Sequence, residues 1–170
     1  MSPPAIYSRI LVPYDGSPSS RQGLAEAIRV AKPFGSTIRI VHVIDEPRHI
    51  DGYVTYGAYA DYILPHLREH AKRLVANAGR NVTDAGLRVE SGIADIPGLR
   101  ACDVVLREAA DWGADLIVMG THGRRGLDRL LLGSDAEQVL RGSPVPVLLV
   151  RCAPDVSRAL IEDVPVASRC

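Results

Sequence analysis

Residues 116–140, LIVMGTHGRRGLDRLLLGSDAEQVL, join an apolar run to a helical pattern through a glycine-spaced loop. The run that ends at Gly120, ADLIVMG (residues 114–120), is continuous and apolar, as is typical of a strand buried on both faces. A helix is expected from Ser134 to about residue 141. A buried strand followed by a loop and a helix is the repeating unit of α/β proteins.

The same alternation is found along the rest of the chain. Strands are expected at residues 9–15, 36–47, 86–93, 114–120 and 144–152, with helices between them at about 17–32, 59–81, 100–113 and 134–141. Because Pro65 lies inside the second helical pattern, that helix is expected either to start near Pro65 or to bend there. Ser17 is expected to cap the first helix with Pro18 in its first turn, and Pro33 and Gly35 to end it. Alternating strands and helices favour parallel pairing with right-handed crossovers and helices on both faces. The sequence therefore predicts an open five-stranded parallel sheet.

Composition places limits on the function. The chain has 170 residues, which suits one domain, and its 20 basic and 20 acidic residues give a formal net charge of zero. Such a balance provides no overall field to attract nucleic acid or an anionic membrane. A phosphate ligand would therefore have to be held by local backbone geometry.

Cysteine usage and the apolar runs indicate the compartment. The three cysteines form no CxxC pair, which argues against a disulfide framework and a zinc site. The stretch MSPPAIYSRILVPYDG shows no signal-peptide pattern, and no apolar run approaches the ~20 residues of a membrane span. We expect a cytoplasmic protein.

The glycine loop has two interpretations. Gly120, Gly123, Gly133 and Ser134 form the pattern G-x2-G-x9-G-S. Glycines allow positive φ and close approach of the backbone to a ligand, and the amides of such a turn and of the following helix favour a phosphate. Alternatively, Ser134 and Glu137 form a capping box and the glycines only make a turn. The spacing matches neither a P-loop nor a dinucleotide fingerprint.

Four stretches together resemble the universal stress protein family: RILVPYDGS, IVHVIDE, ADLIVMGTHGRRGLDRLLLGS and SPVPVLLV. The resemblance extends over residues 8–151, and its complete glycine element is the signature of the ATP-binding branch. It implies a Rossmann-like, adenine nucleotide alpha hydrolase-like fold with strand order 3-2-1-4-5. It also implies a universal stress protein domain over residues 1–153, followed by a poorly ordered tail at 154–170.

The resemblance further implies eight contacts to an adenine nucleotide. All of them lie in the last part of a strand or belong to the glycine loop. Those nearest the adenine and the ribose are Pro13, Asp15, Val43, Met119 and Gly120, and those that cradle the phosphates are Gly123, Gly133 and Ser134. The chemistry agrees, since a carboxylate accepts hydrogen bonds, valine offers an apolar wall and serine offers a donor.

Two features depart from the family pattern. Asp135 places a carboxylate directly after Ser134. It is interpreted as a helper for Mg²⁺ on the ATP phosphates, as a charge that favours AMP over ATP, or simply as a complement to the helix dipole. The stretch ESGIADIPGLR (residues 90–100) is also longer than the usual connection before the third helix. The resemblance therefore does not predict the shape of the site beside the glycine loop.

Other residues have an ordinary and a functional interpretation. His66 and His70 are four residues apart on a predicted helix, and a solvent-facing pair is preferred to a metal site because no third ligand is apparent. Residues 53–62, rich in tyrosine, are a lid, a partner surface or a loop packed on the sheet. Three arginines in the glycine loop are phosphate ligands or solvated side chains: Arg124, Arg125 and Arg129.

We therefore expect an ATP-binding universal stress protein that acts as a sensor or regulator with an unidentified protein partner. No residue is evidently placed as a water-activating base or arginine finger, so no catalytic residue is assigned and any ATP hydrolysis should be slow. The resemblance implies a homodimer, and the apolar last strand, from Val145 to Val150, is the expected seam. The alternatives are an AMP-binding or nucleotide-independent stress adaptor and, in third place, a true phosphotransferase or ATPase.

Overall fold

The computed structural model describes residues 6–44, 57, 59–96, 98–121 and 132–151. Its strands are β1 (Arg9–Pro13), β2 (Thr37–Val43), β3 (Arg88–Ala94), β4 (Leu116–Gly120) and β5 (Val147–Val150). Its α-helices are α1 (Pro18–Ala31), α2 (Leu64–Asp84), α3 (Ala101–Trp112) and α4 (Ser134–Gly142). The tail expected at 154–170 lies outside the described residues.

The five strands form one parallel sheet in the order β3-β2-β1-β4-β5. This confirms the predicted fold class and strand order. Strand β1 is central, because Ile10 pairs with Ile38 of β2 on one side and with Leu116 of β4 on the other. Strand order reverses between β1 and β4, which is where open α/β sheets bind their ligands.

Each face of the sheet carries its own core. Ile10, Val12 and Ile40 point to the face that is covered by α1 and α2, whereas Leu11 and Ile117 point to the face covered by α3 and α4. All of β4 is buried, in agreement with its continuous apolar sequence. Burial of alternate side chains on opposite faces explains why these strands show no polar alternation.

The start and the end of α1 agree with the sequence. The Ser17 side chain caps the helix by accepting a hydrogen bond from the Ser20 amide at 3.2 Å, and Pro18 lies in the first turn. The helix then tightens into a 3-10 turn, Lys32–Phe34, and Gly35 has a φ of +63°. The left-handed conformation of Gly35 ends the helix without steric cost.

Helix α2 begins near Pro65, which is one of the two forms expected for it. A π-turn, Tyr59–Ile63, precedes the α-helix, which begins at Leu64 with Pro65 in its first turn. Proline is tolerated there because its missing N–H would have no helical partner. The strands also differ by a few residues from their expected ends: β2 stops at Val43, and β5 spans four residues instead of nine.

Strand β5 lies at an edge of the sheet, beside β4 alone. Its Leu148 side chain is 36% exposed. Within the described part of the chain, no helix is both long and apolar enough to span a bilayer.

Candidate functional site

A cavity of about 450 Å³ opens at the carboxyl ends of β1, β2 and β4. Seven of the eight predicted contacts line it: Pro13, Asp15, Val43, Met119, Gly120, Gly133 and Ser134. The eighth, Gly123, lies outside the described residues, as do the three loop arginines. Residues from four distant parts of the sequence thus meet in one place, with a volume in the range of small-molecule sites.

Asp15 is fixed at the rim by the turn that leads into α1. Its Oδ1 accepts a hydrogen bond from the Ser17 amide at 2.9 Å. Gly16 between them has a φ of +79°, and Leu74 Cδ1 lies 2.8 Å from the place that a Cβ on Gly16 would occupy. The turn therefore favours glycine on conformational grounds, and a Cβ at this position would also displace the end of the Leu74 side chain.

Gly120 has a structural role besides the predicted contact to a ribose. Its φ is not positive, and a Cβ on it would clash with Ser19 Oγ and lie 2.6 Å from the Ser19 carbonyl oxygen. Gly23 of α1 packs on the same backbone, since its own Cβ would lie 3.1 Å from the Gly120 nitrogen. Glycine is therefore needed here for close packing of α1 on the end of β4, whether or not a ligand is present.

Gly133 also has a structural role besides the predicted one. It is the N-cap of α4 with a φ of −61°, and its N–H donates to the Thr121 carbonyl oxygen at 2.8 Å. The Thr121 amide in turn donates to the Val150 carbonyl oxygen at 3.0 Å. These bonds hold the two ends of the glycine loop together, and the predicted contact of Gly133 to a phosphate stays a prediction.

Ser134 is not a helix cap, and the capping-box interpretation is therefore wrong. It is the first residue of α4, exposed and beside the cavity, whereas the Glu137 side chain pairs with Arg141 at 2.9 Å. The first intrahelical bond runs from the Glu137 amide to the Gly133 carbonyl oxygen. The amides of residues 134–136 have no acceptor within the helix, as in any first turn, and this turn borders the cavity.

The sequence interpretation missed several lining residues. His42 is 6% exposed, and its Nδ1 lies 2.8 Å from the Tyr14 carbonyl oxygen, so Nδ1 carries the proton. Its position beside Val43 in the IVHVIDE stretch was the available signal. His70 on α2 and Cys102 on α3 also line the cavity, and nothing in their local sequence indicates it.

The lining groups include more carboxylates than fixed cations. Asp15 and Asp135 contribute carboxylates, and no lysine or arginine is found among the described lining residues. Burial raises the pKa of the Tyr14 phenol, and burial likewise raises the pKa of the Cys102 thiol. Both groups stay neutral at neutral pH. Elsewhere too, the described residues hold no cluster of three histidine, cysteine or acidic side chains suited to a metal ion.

The tyrosine-rich segment is described only in part. Tyr59 is buried at 2% exposure, whereas Tyr62 is 74% exposed. Residues 53–56, with two more tyrosines, lie outside the described part of the chain, so the three interpretations of this segment stay predictions.

Comparison with known proteins agrees with this architecture. The model of the universal stress protein family matches residues 6–151. Universal stress protein MJ0531 of Methanocaldococcus jannaschii is 32% identical over 146 residues, which cover 86% of this chain and 83% of that protein. A putative universal stress protein of Staphylococcus epidermidis, SERP1273, is 35% identical over 149 residues, covering 85% and 84% of the two chains.

A solved structure gives the same result. The hypothetical protein MJ0577, whose structure was used to assign its biochemical function, superimposes with a TM-score of 0.73 at 31% identity, covering 86% of this chain and 96% of that one. The sheet order, the family match and these relatives agree. The chain belongs to the universal stress protein family.

Proposed function

We propose that this universal stress protein binds ATP at the strand-end cavity and acts as a nucleotide-dependent regulator. The observation that carries the proposal is the convergence of seven predicted contacts on one cavity of about 450 Å³. These residues come from three strand ends and the start of α4, and the fold alone brings them together.

The base and the ribose are assigned to the strand ends. Val43 and Met119 offer apolar surface for an adenine ring, and Pro13 adds to that surface without an amide donor. Asp15, positioned by its bond to the Ser17 amide, offers a carboxylate to the ribose hydroxyls. This division leaves the phosphates toward α4.

The phosphates are assigned to the start of α4. Its amides at residues 134–136, which have no acceptor within the helix, and its positive dipole end favour an anion, and the exposed Ser134 hydroxyl adds a donor. Asp135 is also exposed beside the cavity. Its carboxylate could bind, directly or through water, a Mg²⁺ ion that is held mainly by the phosphates. The donor set therefore fits MgATP.

Regulation, and not turnover, is the proposed outcome of binding. The described lining has no lysine or arginine to stabilise a phosphoryl transition state, so hydrolysis should be slow. We also propose a homodimer through β5, an apolar edge strand that pairing across a two-fold axis would cover. A partner protein would then sense the nucleotide state.

One observation favours a second candidate, an AMP-binding stress adaptor. Two carboxylates and no fixed cation among the described lining residues suit a ligand with fewer negative charges. The adaptor would bind its partner with or without nucleotide. Pull-down of partner proteins in the presence and absence of ATP separates the two candidates. The amount of partner recovered should depend on ATP for the regulator and should be the same in both conditions for the adaptor.

The testing experiment is calorimetric titration of nucleotide-stripped protein with MgATP, AMP and GTP. Cyclic AMP and dAMP belong in the same series, because two solved universal stress proteins of the same fold were obtained with them, at 22% and 21% identity and TM-scores of 0.61 and 0.58. Saturable MgATP binding that GTP does not reproduce supports the proposal. Tight AMP binding with weak ATP binding favours the adaptor, and no binding at all overturns both nucleotide assignments.

A further inference from the structure

One face of α2 overlies the strand ends. Leu67, His70 and Leu74 are spaced i, i+3 and i+7, so they lie on the same side of the helix. Leu67 and His70 line the cavity, and Leu74 lies against Gly16 at the end of β1. His70 is thus the polar member of an otherwise apolar face, and it is exposed at the cavity mouth.

The position of His70 in the sheet layout indicates which part of a ligand it would meet. Helix α2 packs on β2 and β3, whereas α4 packs on β5. Strand β1 separates β2 from β4, so with neighbouring strands about 4.8 Å apart the two ends are about 10 Å apart. His70 therefore borders the β2 side of the cavity with His42 and Ile44, and Ser134 borders the β4 side.

We infer that His70 covers the base of the bound nucleotide and stacks on its exposed face. The inference rests on the proposed function, because it takes the Val43 side of the cavity as the adenine side. A histidine ring is an aromatic surface of the kind on which nucleobases stack. Leu67, one turn earlier on the same face, continues that surface.

Stacking of His70 on the base and contact of His70 with the phosphates predict different nucleotide affinities. A stacking residue contributes equally to AMP, ADP and ATP, because all three carry the same base. A residue that met the phosphates would contribute more as the number of phosphates rises. The β2-side position of His70, away from the first turn of α4, favours the first behaviour.

The test is titration of AMP, ADP and ATP into the wild type and the variants His70→Ala, His70→Phe and His66→Ala. His66 is the matched control, since it lies on the same helix, is exposed and does not line the cavity. We expect His70→Ala to weaken all three nucleotides by about tenfold and by the same factor. His70→Phe should stay within about twofold of the wild type, and His66→Ala should not change the affinity.

Three outcomes would overturn the inference: unchanged affinity in His70→Ala, an equal loss in His66→Ala, or a loss that grows from AMP to ATP. His70 is exposed, so its replacement should leave the protein folded, and thermal unfolding of each variant verifies this. Failure of the proposed function looks different, because the wild type itself would then bind none of the three nucleotides.

Discussion

Gly120 at the end of β4 and Ser19 in the first turn of α1 are in backbone contact, so close that a Cβ on Gly120 would lie 2.6 Å from the Ser19 carbonyl oxygen. The obstacle is backbone, which cannot rotate away as a side chain can. Close packing against Ser19 thus explains why residue 120, which belongs to the ATP-binding signature, is glycine, and this explanation does not depend on a ligand.

Gly120→Ala should therefore lower the free energy of unfolding by about 1–3 kcal/mol, since the added methyl overpacks a rigid contact. Urea unfolding followed by circular dichroism measures the change. Gly79→Ala is the matched control, because its Cβ would meet only Val89 Cγ1 at 3.9 Å and its helix should gain about 0.5–1 kcal/mol. Equal stability of Gly120→Ala and the wild type would show that α1 can move aside.

Two serines that both precede or begin a helix should respond differently to replacement by alanine. Ser17 caps α1 through the Ser20 amide, so Ser17→Ala should lose about 1 kcal/mol of stability. Ser134 caps nothing in α4, so Ser134→Ala should stay within about 0.5 kcal/mol while its affinity for ATP falls. The same urea titration and the nucleotide titration give both values. A stability loss in Ser134→Ala as large as that in Ser17→Ala would contradict the assigned cap.

Asp135 should influence ATP more than AMP, because its carboxylate lies beside the first turn of α4, where the phosphates are proposed. Without divalent ions, Asp135→Asn should raise ATP affinity about threefold by removing a repulsion of about 0.7 kcal/mol. With Mg²⁺ the gain should shrink or reverse, because the carboxylate then helps to hold the cation. Titrations in EDTA and in MgCl₂, with AMP as the reference ligand, distinguish these effects. Equal effects on AMP and ATP would place Asp135 away from the outer phosphates.

The Cys102 thiol should report on the cavity through its pH-dependent alkylation. Burial raises its pKa, so the reactive thiolate forms only at more alkaline pH than in an exposed cysteine. Rates of iodoacetamide labelling in a Cys152→Ser, Cys170→Ser background should rise at higher pH than those of the urea-unfolded protein. Saturating ATP should slow the labelling further, since Cys102 lines the cavity. Labelling as fast as in the unfolded chain would show that the thiol is open to solvent.

Local sequence determined most of the fold. The all-apolar β4 and the Ser17–Pro18 helix start both depend on neighbours in the chain, and both were predicted correctly. The strand order followed from the family resemblance and is confirmed. The π-turn before Leu64 was not predicted, because local sequence does not show that Tyr59 packs with Ile44 and Ala71.

The sequence predicted which residues meet at the cavity, whereas the hydrogen bonds that those residues make could not be predicted. Seven of the predicted residues line one cavity, and their contacts to a nucleotide stay predictions, whereas the bond from the Gly133 amide to Thr121 and the uncapped start of α4 were not predicted. The hydrogen bond of Gly133 depends on Thr121, which lies twelve residues earlier in the sequence, so the local pattern does not predict it. His70 and Cys102 were not predicted as lining residues, because only the packing of α2 and α3 brings them to the cavity.

Two hydrogen bonds connect the edge strand β5 to the start of α4 beside the cavity. One runs from the Gly133 amide to Thr121, and the other from the Thr121 amide to Val150. A second chain that paired with β5 would stiffen Val150, and through two bonds it would stiffen the start of α4. Thermodynamic reciprocity then fixes the size of the effect in both directions. If ATP tightens the association of two chains by some factor, association must tighten ATP by that same factor, and protein concentration itself becomes an effector of nucleotide occupancy.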